Sequence, residues 1–374
     1  MKNKVFLAEC EDYSKEKTAT AVRRALDAFG GAAALAGGKR VLIKVNLLMA
    51  ALPDKAVTTH PSVVEAIARE FISAGCKVEI ADSCGGAYTE DVLRVLYATS
   101  GMKKVAEATG AELNYDVSSF ECDIPQGIRL KKTQMITPVK RADFIVSAAK
   151  LKTHSFAYYT GAVKNLFGVI PGKLKTVMHS RFPEKKAFCE MLVDLCEAVK
   201  PDLAIIDGVY GMEGAGPSGG KPRFAGVLIA SPSPYAADVA GMRVMGLDEN
   251  KSYVHVNAKK RGLVSEPELE GDDISCFRTD FEPAYKREPR TSLAIIPGAV
   301  RRYVDHIFAK YPVVLEDKCI GCGECAKACP EETIEISGGR ARVNRKKCIR
   351  CYCCQEMCPI VAIEIGKKHR GGQM

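Results

Sequence analysis

No stretch of the 374 residues approaches the roughly 18 consecutive apolar positions that a membrane span needs. The first apolar run, Val5–Ala8, is short, and Glu9, Glu11 and Asp12 follow at once, so no secretory leader is read there and a cytoplasmic chain is expected. No G-x-G-x-x-G joins a strand signal to a helix, and no G-x4-G-K-[ST] occurs, which excludes the ordinary NAD and ATP fingerprints. The nearest approach, Gly214–Ala215–Gly216–Pro217–Ser218–Gly219, lacks a helix start behind it. There is no nucleophile elbow and no His pair at metal spacing on a helix. Tryptophan is absent, and nothing follows from that. The net +9 is scattered, and without an aromatic–basic recognition motif it reads as solubility, not as nucleic-acid binding.

Cysteine is abundant instead. Sixteen cysteines in a chain read as cytoplasmic point to metal, not to disulfides. Eight fall in two runs near the C-terminus: Cys319, Cys322, Cys325 and Cys329, then Pro330; and Cys348, Cys351, Cys354 and Cys358, then Pro359. Both read C-x2-C-x2-C-x3-C-P. Three thiolates two residues apart wrap one face of an iron–sulfur cube, and the fourth reaches across to a second cube. Two [4Fe–4S] clusters are therefore expected, one on Cys319, Cys322, Cys325 and Cys358, the other on Cys348, Cys351, Cys354 and Cys329. Structural zinc sites use pairs of ligand pairs and do not match these runs. Between the runs, Thr333–Ile336 and Arg340–Val343 flank Gly338–Gly339, a hairpin signal. The whole resembles the bacterial two-cluster ferredoxin domain. The second run departs from the first: Arg350 and Tyr352 replace Gly321 and Gly323, and Cys353 is extra, by spacing a bystander thiol. Arg350 is a candidate for raising the second cluster's potential.

The residues before this module alternate strand and helix signals. Apolar runs at Val5–Ala8, Val41–Leu48, Lys77–Ala81, Phe144–Ala149, Leu203–Ile206 and Val227–Ala230 read as strands. Helices are expected at Lys15–Leu35, after Ser62 (with Glu65 as a capping box), near Glu90–Leu96, from Ala187 to Val199, and at Ala299–Lys310. The fold class is thus α/β, a large domain with a mainly parallel sheet (1–310), followed by a small α+β ferredoxin-type domain (313–366) and a basic tail (367–374). Two Gly/Pro-rich stretches, Gly161–Gly172 and Gly208–Gly220, read as long functional loops. Cys10, Cys76, Cys122, Cys189, Cys196 and Cys276 read as buried small apolar residues, and Cys84, in a Gly loop, is the one further thiol worth testing.

Polar residues cluster at apparent strand ends, where open α/β sheets bind ligands. Lys44, Asn46, Asp82, Lys150, Lys152, His154 and Asp207 are so placed; Lys164 and Asn165 sit in the first Gly-rich stretch and Glu213 in the second; His60 opens a helix, and His179 is a weaker candidate. A Lys-rich crevice there suits a small anionic ligand, a carboxylate or phosphate. Lys150–Leu–Lys152–Thr–His154, Gly161–Ala–Val–Lys164–Asn165–Leu–Phe–Gly168 and Asp207–Gly–Val–Tyr–Gly–Met–Glu213–Gly–Ala–Gly216–Pro resemble the prokaryotic family catalogued as domain of unknown function 362, over about residues 40–250. That resemblance implies an iron–sulfur protein of anaerobic metabolism and supplies no reaction. The expectation is an electron-transfer protein, an oxidoreductase or reductase component served by a redox partner protein. Lys152, His154, Lys164, His60, Asp207 and Glu213 are its candidate site residues. The alternative is a non-enzymatic carrier whose large domain docks a partner enzyme.

Overall fold

Alternating apolar runs and helical stripes build an α/β sheet. The structure is a computed structural model that describes residues 3–277, 279–284 and 310–366. In chain order the first strands are β1 (Lys4–Glu9), β2 (Arg40–Lys44), β3 (Lys77–Ala81), β4 (Glu112–Leu113), β5 (Ser119–Asp123) and β6 (Lys132–Ile136). They are followed by β7 (Phe144–His154), β8 (Tyr158–Thr160), β9 (Leu203–Glu213), β10 (Lys221–Ser231) and β11 (Glu268–Gly271). Nine strands share one sheet in the order β11-β1-β10-β9-β7-β2-β3-β4, with β8 paired to the last residues of β7. The central neighbours β9, β7, β2, β3 and β4 run parallel, and β10 is antiparallel to both β9 and β1. The sheet is mainly parallel, as the spacing of its strands implied. Hairpin β5–β6 stands apart.

The two faces of the central strands follow the pleat. Val41 and Ile43 point into a core with Val22 and Phe71 from the helices Lys15–Asp27 and Pro61–Ser73. Leu42 points the other way, into a core with Phe188, Leu192 and Leu195 of the helix Lys185–Val199. Strands covered on both faces are buried throughout, which is why β7 and β9 are so apolar at their starts.

Several elements differ from expectation. The stretch Lys15–Leu35 is two helices, Lys15–Asp27 and Gly31–Ala36, because Gly30 and Gly31 take φ of +97° and +81°. The cap of the helix Pro61–Ser73 is His60, whose Nδ1 accepts the Ser62 N–H at 3.2 Å. Pro61 has no N–H to give and fixes the first helical φ, so the capping box on Ser62 and Glu65 does not form; Glu65 pairs with Arg69 instead. Strands β7 and β9 run on past Ala149 and Ile206 to His154 and Glu213. The first half of the Gly208–Gly220 stretch is therefore strand, its Gly211 fitting against the Leu151 carbonyl. Most of Gly161–Gly172 is likewise ordered, as the short helix Ala162–Asn165 and a 3-10 turn, Leu166–Val169. Among the expected buried cysteines, Cys122 is half-buried on hairpin β5–β6 and Cys276 is exposed; the other four are buried. The helix expected at Ala299–Lys310, except Lys310, and the tail 367–374 lie outside the described residues.

The C-terminal residues add β12 (Tyr311–Val314), β13 (Ile334–Ser337), β14 (Arg340–Val343) and β15 (Ile363–Gly366). β13 and β14 form the expected hairpin, and β12 pairs with β15. Two short helices, Glu324–Lys327 and Cys353–Glu356, carry the middle of each cysteine run.

His60 also stacks on Tyr13, with ring centroids 3.5 Å apart. Burial pushes it down to about 4, against the pull of Asp207. A histidine depressed in the folded state stabilises fully above its ordinary pKa, and that stability is lost as pH falls from about 6.5 through 4. Asp238, pushed up to about 7 by burial, acts in the opposite sense over the same window. His60→Asn keeps a good cap and removes the titration. Urea unfolding at pH 7 and pH 4.5 should show the variant losing less stability on acidification, by on the order of 2 kcal/mol. Equal losses would contradict the assignment.

Candidate functional site

The carboxyl ends of β2, β3, β7 and β9 meet in a buried, lysine-rich layer. Lys44 Nζ lies 2.8 Å from Asp82 Oδ1, with side chains 0% and 3% exposed. It also donates to the carbonyls of Val45 and Asn165. Asp82 in turn accepts the N–H groups of Leu47 and Ser83. Lys150 pairs with Asp207 at 2.9 Å and donates to the Tyr13 hydroxyl, which donates to the other Asp207 oxygen. Burial pushes both lysines down and their carboxylates hold them up, so each pair is a matched structural unit. Lys152 donates to Asn46 Oδ1 and Val57 O, both at 2.8 Å, and burial, with Lys164 and Lys150 nearby, lowers it to about 7. Lys175 is wrapped by the carbonyls of Ser83, Cys84 and Ile170 and by the Ser83 hydroxyl.

Above this layer is a cavity of about 80 Å³. Large-domain residues Asn46, Leu48, Lys164, Phe167 and His179 line one side; Ala328, Cys353, Glu356 and Met357 of the C-terminal module line the other. The spacer between Cys354 and Cys358 makes the join. Gln355 donates to Ala215 O, the Glu356 carbonyl accepts from Ser218 Oγ at 2.7 Å, and Met357 packs so tightly on Gly85 that a Cβ there would fall 2.6 Å from its sulfur. Tyr352 adds a wedge: its ring enters the large-domain core edge-on to Phe156, 6.3 Å between centroids.

Polar atoms around this join lack partners. Glu356 Oε1, His154 Nε2 and His179 Nδ1 are buried without a hydrogen bond. His154 Nδ1 accepts the N–H groups of Phe156 and Ala157, so the neutral ring carries its proton on Nε2, 3.5 Å from Glu356 Oε1. Burial and then the neighbouring lysines hold His154 well below its usual range, which makes it a neutral donor and not a charged ligand. Burial lifts Glu356 to about 7 although Lys164 and Lys152 oppose it.

The cysteine runs gather in two groups. Cys319, Cys322, Cys325 and Cys358 line one cavity. Burial, and then Cys358, Cys322 and Cys319, push the Cys325 thiol up to about 11. Burial and then Cys351, Cys348 and Cys329 raise Cys354 likewise, with Cys325 a further neighbour. Thiols so crowded are hard to ionise together unless a cation compensates, and backbone N–H groups already point at three sulfurs: Ala341 to Cys319, Thr333 to Cys329 and Ala362 to Cys358, at 3.2–3.4 Å. Gly321 has φ of +66°, and a Cβ there would strike the Gly339 carbonyl. Arg350 and Tyr352 adopt the same left-handed backbone at +60° and +64° without being glycine. Arg350 lies 5.7 Å from the Tyr311 ring.

Of the candidates picked from the sequence, Lys164 lines the cavity, with Lys152 and His154 close behind it. His60 caps its helix, Asp207 serves Lys150, and Glu213 accepts from the Glu282 N–H; none of the three lines the cavity. Cys84 is buried, bonds to Ala87 O, and is raised by burial, an inert thiol. Glu356, Met357 and Lys175 were not foreseen. Glu356 reads as polar filler between two cysteines, and only docking shows where it points.

Residues 41–243 match the family described as domain of unknown function (DUF362), and residues 311–359 match the 4Fe-4S dicluster domain. A thylakoid-associated protein of Synechocystis sp. is 34% identical over 256 residues, 66% of this chain and 76% of that one. Ferredoxin-2 of Desulfomicrobium norvegicum is 53% identical over 32 residues, 8% of this chain and 54% of its own length. Among solved structures, the lactate racemase apoprotein of Thermoanaerobacterium thermosaccharolyticum gives a TM-score of 0.39 at 15% identity, over 64% of this chain and 57% of that one. A Thermotoga maritima protein gives 0.39 at 11%, over 64% and 60%. Both are too distant to add to the fold above. No helix among the described residues is long and apolar enough to cross a membrane.

Proposed function

Since this chain belongs to the family described as domain of unknown function (DUF362) and carries a 4Fe-4S domain behind it, we propose that it passes electrons through that domain to a small anionic ligand held at the strand ends. The observation that carries the reading is the shared cavity, walled by Lys164 on one side and by Cys353 and Glu356 of the second cysteine run on the other.

In this reading Cys319, Cys322, Cys325 and Cys358 hold one [4Fe–4S] cluster, and Cys348, Cys351, Cys354 and Cys329 hold a second. The two thiol groups and their N–H donors fit that assignment. When bound, the clusters supply one-electron transfer. Cys322 is exposed, which suits exchange with a redox partner protein at the first run. Cys353, beside the Cys354 ligand, faces the cavity and suits delivery there. Residues 1–310 act as the ligand-binding unit and 313–366 as the electron-carrying one. Lys164 attracts the anion, Glu356 orients it with the His154 Nε2–H behind, and Met357 helps keep water out. An oxidoreductase role in an anaerobic, cytoplasmic setting belongs to the same proposal. The rival reading, a large domain that only docks a partner enzyme, leaves the orphaned atoms at the join unexplained.

Anaerobic purification, denaturation and mass spectrometry of the released small molecules test this. The wild type should release a small anion that reoxidises the dithionite-reduced protein. Lys164→Ala should come through without it, the iron–sulfur absorbance intact. A variant that keeps the same anion, or a released molecule that takes no electrons, would count against the proposal.

A further inference from the structure

The partners of the lysines in this layer narrow the ligand. Lys44 and Lys150 are matched by Asp82 and Asp207, Lys152 by Asn46 and Val57, and Lys175 by loop carbonyls. Lys164 differs. Its ammonium lies over the faces of Phe167 at 4.6 Å and Phe188 at 5.9 Å, and no oxygen of the described residues hydrogen-bonds it. This half-buried ammonium has three donors, ring faces beside it and the Glu356 carboxylate nearby but not hydrogen-bonded, and so is open to an anionic acceptor.

Charge and size then select among anions. Lys164 is the one cavity lysine without an oxygen partner among the described residues, and the carboxylate of Glu356 shares the cavity with it. A dianion such as phosphate would face that carboxylate with a single cation to hold it; a singly charged group would not. The cavity has space for several waters, hence for a molecule of roughly four to seven heavy atoms. Leu48, Phe167 and Met357 offer it an apolar wall. These features together describe a short-chain monocarboxylate.

Position adds a consequence. Cys353 and Ala328 line the cavity, and they precede Cys354 and Cys329 in the chain, both in the second group of thiols. Met357, which precedes Cys358 of the first group, lines it too, so the second group abuts the cavity at two chain neighbours and the first at one. We propose that the cavity is a short-chain monocarboxylate site whose occupancy is electrostatically coupled to the second cluster more strongly than to the first. This rests on the reading that the cavity holds a ligand and that the two thiol groups hold clusters. A carboxylate beside the second cluster disfavours the added electron there, and by reciprocity an added electron disfavours the carboxylate.

Acetate is the probe. Anaerobic holo-protein, oxidised and then dithionite-reduced, is titrated with acetate by calorimetry, and both cluster potentials are followed by EPR-monitored potentiometry. Acetate should bind saturably, lower one midpoint more than the other, and bind about tenfold more weakly to the reduced protein. Lys164→Met should lose the binding and keep both cluster signals, whereas the exposed Lys327→Gln should behave as wild type, and phosphate should do nothing. Two midpoints moving equally, neither moving, or Lys164→Met binding acetate as well as wild type would each overturn the proposal. Should the natural molecule released from the cavity prove to be of another class, this assignment fails while electron delivery to the cavity stands. Should wild type and Lys164→Ala both release nothing, electron delivery to a bound ligand fails as well.

Discussion

Alanine at position 168 should lower the unfolding free energy by about 3–5 kcal/mol, a large share of a domain's stability. The reason is local and geometric. A Cβ on Gly168 would fall against the Asp82 carboxylate and 2.5 Å from Lys44 Nζ. That pair is sealed between β2 and β3, and Asp82 also anchors the Leu47 and Ser83 N–H groups. Parting the two charges leaves each buried with its partner displaced, which costs far more than the pair contributes over an apolar replacement. Chemical denaturation of Gly168→Ala against wild type measures it. Lys44→Met should cost a similar amount, and Lys44→Met with Asp82→Leu less than the single change. A Gly168→Ala protein within about 1 kcal/mol of wild type would mean that the pair tolerates separation.

Serine at position 358 should remove the cluster assigned to the other cysteine run. Cys358 follows Cys348, Cys351 and Cys354 in sequence, yet it lines the cavity of Cys319, Cys322 and Cys325. Its sulfur also takes the Ala362 N–H at 3.2 Å, which holds it in that place. Cys358→Ser should therefore cut the iron content by roughly half and erase one set of EPR features. A second change at Cys322 should then remove little more iron, whereas one at Cys351 should remove most of the remainder. If Cys351→Ser and Cys358→Ser instead proved redundant, ligation within each run would be correct and the crossed assignment wrong.

What could be read from the sequence was what depends on near neighbours. The cysteine spacing carries its own chemistry, the stripe Phe188, Leu192, Leu195 is helical by period alone, and Lys77–Ala81 is a strand in both accounts. The far halves of β7 and β9 were hidden, because buried lysines and glycines look like loop. Lys150 can sit in a covered strand only because Asp207, on the neighbouring strand, meets it, and no local pattern announces that partner. Likewise the acid that shares the cavity with Lys164 comes from the other module, 192 positions along the chain.

The Cys354–Cys358 spacer has a consequence for how freely the module could be exchanged. Gln355, Glu356 and Met357 each touch the large domain, and the same three residues link a thiol of one group to a thiol of the other. The roof of the cavity and the link between the two thiol groups are one stretch of chain. A free-standing ferredoxin grafted onto residues 1–310 could match every cysteine and both potentials and still leave the cavity open to solvent. Drift in those three positions is thus answerable to two partners at once, and the two halves of this protein are bound to change together.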